Sequence, residues 1–147
     1  METITDYMSA DHRRCDDLFV AAEKAVSSGG WEAARTAYAD FRSAIEHHFA
    51  MEEQTLFPTF EEVSGNTMGP TQVMRYEHEQ MRALFQDMAD ALQQEDADGF
   101  LGNAETLLVM MQQHNRKEEQ ILYPMADQSL ASQREGVLGQ MQEVEAK

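Results

Sequence analysis

The stretch His48-Phe49-Ala50-Met51-Glu52-Glu53-Gln54-Thr55-Leu56-Phe57-Pro58 recurs 66 residues later as His114-Asn115-Arg116-Lys117-Glu118-Glu119-Gln120-Ile121-Leu122-Tyr123-Pro124. The same offset, without a gap, lays His12 on His78 and Leu18-Phe19 on Leu84-Phe85. Most surface positions differ between the halves. Histidine, glutamate, apolar seam and helix-end residues repeat, as expected of two copies of a half-site for metal.

Outward from these stretches, apolar residues recur alternately four and three apart, the spacing of a buried helix seam. The first segment carries Met8, His12, Cys15, Phe19, Ala22 and Val26, and the second Phe41, Ile45, His48, Glu52 and Leu56. The third carries Met74, His78, Met81, Phe85, Met88 and Leu92, and the fourth Leu107, Met111, His114, Glu118 and Leu122. Punctuation falls at Ser28-Gly29-Gly30, from Pro58 through Pro70, and from Glu95 through Gly99. The pattern predicts one all-α domain over residues 1–147. Its core is an antiparallel up-down-up-down four-helix bundle over about 5–128, with a short C-terminal helix over about 130–144.

Residues level with each other in an antiparallel pair lie equally far from the turn that joins them. His12 and His48 are equidistant from Gly30, His78 and His114 from Asp96, and Glu52 and His78 from Gly65. Each turn therefore brings the six candidate ligands, His12, His48, Glu52, His78, His114 and Glu118, to one level. A His and a Glu four apart share a helix face, about 40° apart around the axis. One such pair is common in a chain rich in glutamate. Two pairs at repeat positions, each facing another seam histidine, are not.

Six polar groups in one dry layer, left unpaired, would cost several kcal/mol for each buried charge. Neither Lys nor Arg lies on the seam at that level. Two cations would balance the carboxylates, each taking two imidazoles while the carboxylates bridge both, with positions left open for a small ligand. Mixed imidazole and carboxylate ligation suits iron, with manganese or zinc as alternatives, and argues against thiolate chemistry.

At these residues the chain resembles the hemerythrin-like, or HHE cation-binding, family over about residues 5–128. The resemblance implies a non-haem di-iron centre of two Fe ions. His12, His48, His78 and His114 would be terminal ligands, and Glu52 and Glu118 bridging ones. Oxygen-carrying members have a second histidine four residues after the third-helix ligand, where this chain has Arg82. They also place an aspartate five after the fourth-helix histidine, where this chain has Glu119; Glu118, at four, keeps the ligand face. The symmetric set is similar to that of di-iron proteins linked to iron-centre repair and nitrosative stress. Those carry a cysteine-bearing N-terminal segment that this sequence does not show.

The totals agree. The 147 residues carry a net charge of −16, from 27 acidic and 11 basic side chains, a field that repels nucleic acid and anionic membranes and attracts cations. One cysteine, Cys15, excludes an intrachain disulfide and a thiolate cluster. No secretory signal is read at the N-terminus and no 18-residue apolar run spans a membrane, so the default location is cytoplasmic.

Among the remaining polar groups, His47 lies off the seam and is expected at the surface or behind a ligand. Asp16, four after His12, is expected either to accept a histidine N–H or to face solvent. Cys15 matches Met81 and reads as a small core residue. Met8 and Met74, level with the glutamates, read as packing or as the lining of a pocket. The tyrosines are not placed by the pattern.

Three function classes follow. The first is a binding or sensing module whose partner is dioxygen, nitric oxide or peroxide, in sensing, storage or stress response. The second is a di-iron enzyme turning over peroxide or nitric oxide, or repairing iron centres, although no catalytic acid or base outside the ligand set is evident. The third is a metal-free interaction bundle, a homodimer formed through the C-terminal helix. Metal content separates the third from the others.

Overall fold

Thr3 opens the first helix because its hydroxyl accepts from the Asp6 amide at 2.9 Å while the Asp6 carboxylate accepts from the Thr3 amide at 3.3 Å. This reciprocal cap satisfies two donors that a helix start leaves bare. The Asp127 carboxylate takes the Ile4 amide at 2.7 Å and the Thr5 amide at 3.1 Å, placing a negative charge at the same terminus. In the computed structural model, which describes residues 2–144, the helix so capped is α1 (Ile4–Ser27). The domain limits expected at residue 1 and residues 145–147 lie outside the described residues.

The elements that follow are α2 (Trp31–Met51), α3 (Phe57–Ser64), α4 (Pro70–Gln93), α5 (Ala97–Lys117), α6 (Tyr123–Ser129) and α7 (Arg134–Glu143). All regular structure among the described residues is helical. Gly29 at φ +78° and Gly65 at φ +71° end the first and second rods in left-handed conformation, which glycine adopts without steric cost. Asp96 caps α5, its carboxylate accepting from the Gly99 amide at 3.0 Å. That turn is shorter than expected, because Asp98 and Gly99 already lie inside α5.

The stretch from Pro58 onward departs from expectation. Pro58 does not open a loop: a π-helical turn, Glu52–Leu56, joins α2 to α3 without a break, and the rod runs on to Ser64. In that turn the Phe57 amide donates to the Glu52 carbonyl, five residues back. The widened turn admits a proline ring that an α-helix would push against the carbonyl four residues back. The repeat carries the same device, with π-helical turn Glu118–Leu122 ahead of Pro124 and the rod continuing through α6. Both π turns begin at the glutamates of the repeated motif.

Helix α1 packs along α2, and α4 along α5, with α1 also against α5 and α2 against α4. Helix α7 lies over the first π turn, and its range falls within the stretch expected for a C-terminal helix. The buried apolar side chains form two clusters. One runs through Cys15, Phe19, Phe41, Phe49, Met81, Phe85, Phe100 and Leu107. The other gathers Ile4, Met8, Met51, Phe57, Phe60, Met74, Leu122, Tyr123 and Met141 around the opposite end. Between them lies a layer of buried ionisable groups: His12, His48, Glu52, His78, His114 and Glu118.

Candidate metal centre

The layer is dry: each of the six side chains is at most 2 % exposed. His12 and His48 face each other with ring centroids 4.5 Å apart, and His78 and His114 do so at 5.0 Å. Phe49 stacks flat on His78 at 3.8 Å and keeps water from that ring. Two sets of atoms converge, each within 4.8 Å: His12, His48 and Glu118, and then Glu52, His78, His114 and Glu118. Glu118 is common to both.

Inside the layer His12 Nε2 lies 3.0 Å from Glu118 Oε1, His78 Nε2 3.0 Å from Glu52 Oε1, and His114 Nε2 3.3 Å from Glu118 Oε1. The last two contacts are close but misaligned for hydrogen bonds. Among the described residues, Glu52 Oε1, His78 Nε2, His114 Nε2 and Glu118 Oε2 are buried with no hydrogen-bond partner. An orphaned buried donor or acceptor costs about 1–3 kcal/mol, more when charged. Four such atoms on side chains that converge within 4.8 Å fit a cation, and the imidazole and carboxylate donors suit iron, manganese or zinc.

Behind each imidazole stands a carboxylate. His12 Nδ1 donates to Glu119 at 2.6 Å, His48 Nδ1 to Asp11 at 2.8 Å, His78 Nδ1 to Glu53 at 2.7 Å and His114 Nδ1 to Glu77 at 2.8 Å. These bonds fix each ring and turn its Nε2 inward, where a cation can replace a proton. The four carboxylates obey the 66-residue repeat, Asp11 matching Glu77 and Glu53 matching Glu119. They were not singled out in the sequence, because each serves a histidine on another helix. The Asp11-His12 and Glu77-His78 dipeptides and the doubled glutamates were their trace.

Asp16 is exposed and does not take the histidine N–H, which Glu119 accepts instead. His47 points away from the layer and bonds the Val144 carbonyl at 2.8 Å. Cys15 is buried in the apolar core, where burial pushes its thiol up to about 12. Met8 and Met74 pack in the second apolar cluster. Arg82 reaches outward to Glu46 and Glu53, both at 2.9 Å, and lies over the Phe49 ring.

Tyr123 is the group the sequence left unplaced. It is fully buried, and its hydroxyl lies 2.7 Å from Glu52 Oε2 and 2.9 Å from Glu118 Oε1. Its repeat partner is Phe57, so the sole trace was a hydroxyl gained between two otherwise matching Leu-aromatic-Pro triplets.

Without a cation the layer balances its charge with protons. Burial pushes the Glu52 carboxyl up, and the Glu118 charge pushes it the same way. Burial alone would depress His12, but the Glu118 and Glu119 carboxylates outweigh it and hold the imidazole up to about 9. For His114, Glu118 and Glu77 outweigh burial and hold it up to about 10. A proton gained on folding stabilises below the unfolded histidine value of 6.5, and that stabilisation is lost as pH rises through about 9 and then about 10. Metal uptake displaces these protons, so metal affinity rises with pH. Melting temperatures of chelator-treated and metal-loaded protein, compared near pH 6.5 and near pH 9, should therefore move apart as pH rises. A gap that stays constant would contradict this proton inventory.

Residues 3–126 match the family described as the hemerythrin HHE cation-binding domain. No curated protein and no solved structure gives a significant match. The family match spans most of the chain and takes in every residue of the buried layer, so the chain belongs to the hemerythrin HHE cation-binding family.

Proposed function

We propose that the chain is a non-haem di-iron protein that takes up a small ligand, dioxygen, nitric oxide or peroxide, in sensing, storage or stress response. In this reading α1, α2, α4 and α5 form an antiparallel up-down-up-down bundle around two ions. His12 and His48 would hold one ion and His78 and His114 the other, with Glu52 and Glu118 as the carboxylates shared between them. The observation that carries the reading is the convergence of Glu52, His78, His114 and Glu118 within 4.8 Å, each with a buried atom that has no hydrogen-bond partner. Family membership supports cation binding as such.

Bound iron would supply open coordination positions and a change of oxidation state. The chain supplies the rest. Asp11, Glu53, Glu77 and Glu119 orient the imidazoles, and the apolar clusters on either side exclude bulk water. Reduced, iron-loaded protein titrated anaerobically with nitric oxide, and separately with dioxygen and with peroxide, should change its visible spectrum with saturation at a fixed ratio to iron. A spectrum indifferent to all three would end the ligand-binding reading. Sustained peroxide turnover well above free-iron controls would replace it with the enzyme reading.

A further inference from the structure

Tyr123 breaks the two-fold pattern of the site. Its hydroxyl lies near His48 Nε2 at 3.2 Å and His12 Nε2 at 3.3 Å, as well as the two glutamate oxygens at 2.7 and 2.9 Å. The Nδ1 atoms of His12 and His48 are turned outward to Glu119 and Asp11, so both rings present Nε2 to the hydroxyl. Four atoms of ligand type, two imidazole nitrogens and two carboxylate oxygens, thus crowd one hydroxyl oxygen. The cluster is compact enough for its members to share one ion. Its spacing is that of neighbouring ligands, because donors about 2.1 Å from one ion and at right angles stand about 3.0 Å apart. At the equivalent place beside His78, Phe57 offers only a ring, 5.8 Å away.

The surrounding charge is unequal in the same sense. Near His78 and His114, Arg82 holds Glu53 at 2.9 Å and Lys117 holds Glu77 at 2.5 Å. Near His12 and His48, among the described residues, Arg14 alone plays that part, on Asp11 at 2.8 Å, and the repeat position of Arg82 is the acid Asp16.

We infer, building on the di-iron reading above, that Tyr123 is a seventh protein donor, bound through its oxygen to the ion held by His12 and His48. The phenol O–H bond is exchanged for an oxygen–metal bond, and the proton leaves to solvent with those displaced from the imidazoles. The two ions are therefore inequivalent. The ion at Tyr123 is the one that favours the higher oxidation state, and the ion at His78 and His114 keeps more positions open for an incoming ligand.

A ferric ion bound to a phenolate absorbs strongly in the visible through charge transfer, which imidazole and carboxylate ligands alone do not produce. Oxidised, iron-loaded wild-type protein should show this band, and Tyr123→Phe at equal iron content should lose it. Phe at this position mimics Phe57 in the other half, so the variant keeps the packing. Resonance Raman excitation within the wild-type band should enhance tyrosine ring vibrations, a readout that needs no variant. Two iron ions per chain without tyrosine enhancement, or an identical band in Tyr123→Phe, would overturn the Tyr123 assignment and leave the di-iron reading standing. Failure to retain iron would overturn both.

Discussion

Glu118→Gln will cost the protein both metal positions rather than one, and will destabilise it more in the metal-loaded state than in the metal-free state. Glu118 belongs to both convergent sets and lies within 3.3 Å of His12, His114 and Tyr123. The amide keeps the volume, so no cavity opens, but it loses the charge that two cations would share. The loss of affinity should exceed the roughly 10- to 100-fold that follows loss of a group behind a ligand. Metal binding to the folded state is folding free energy. Losing a ligand present at about 100 to 1,000 times its dissociation constant removes about 3–4 kcal/mol, or about 10 °C in melting temperature for a chain this size. Without metal the variant loses only the carboxylate that holds protons on His12 and His114, a penalty that fades as pH rises through about 9 and then about 10. Thermal melts of both proteins, metal-loaded and chelator-treated, test the pair of outcomes. A variant equally destabilised in both states would show that Glu118 holds no metal.

The second large effect lies behind the ligands. Glu53→Gln and Glu119→Gln should each lower metal affinity about 10- to 100-fold while leaving the fold intact, since both carboxylates are partly exposed, at 24 % and 37 %. Glu53→Gln should be the more severe. Its carboxylate is held by Arg82 through bonds of 2.9 and 3.1 Å, and losing that charge also frees a guanidinium beside His78. Burial works to raise the Glu53 carboxyl, but His78 and Arg82 outweigh it and hold it down to about 2. It is therefore ionised throughout the neutral range. Competition against a chelator of known affinity measures both variants. Affinities within about twofold of wild type would show that the rings need no such support.

These groups mark the boundary of what the sequence discloses. Seam periodicity and the 66-residue repeat place all six layer residues, because burial and axial level follow from spacing along one helix. Glu53, Glu77, Asp11 and Glu119 escape because each sits one residue off the seam and finds its histidine across a helix boundary. Knowing that Asp11 meets His48, and not the adjacent His12, requires the packing of α1 on α2. Pro58 misleads for a different reason. Proline is expected to end a helix, but the π turn before it makes room for the ring. The same turns sit at Glu52 and Glu118, so the backbone departs from ideal geometry where the carboxylates must reach inward. Tyr123 is hidden by conservative chemistry: Phe57 and Tyr123 differ by one oxygen, and only the surrounding side chains reveal that the oxygen matters.

The most direct measurement is a metal count. Protein stripped by chelator, reloaded anaerobically with ferrous iron and freed of excess by desalting should retain two ions per chain, one for each convergent set. Retention of no iron above a denatured control, under conditions where the protein is folded, would contradict the account.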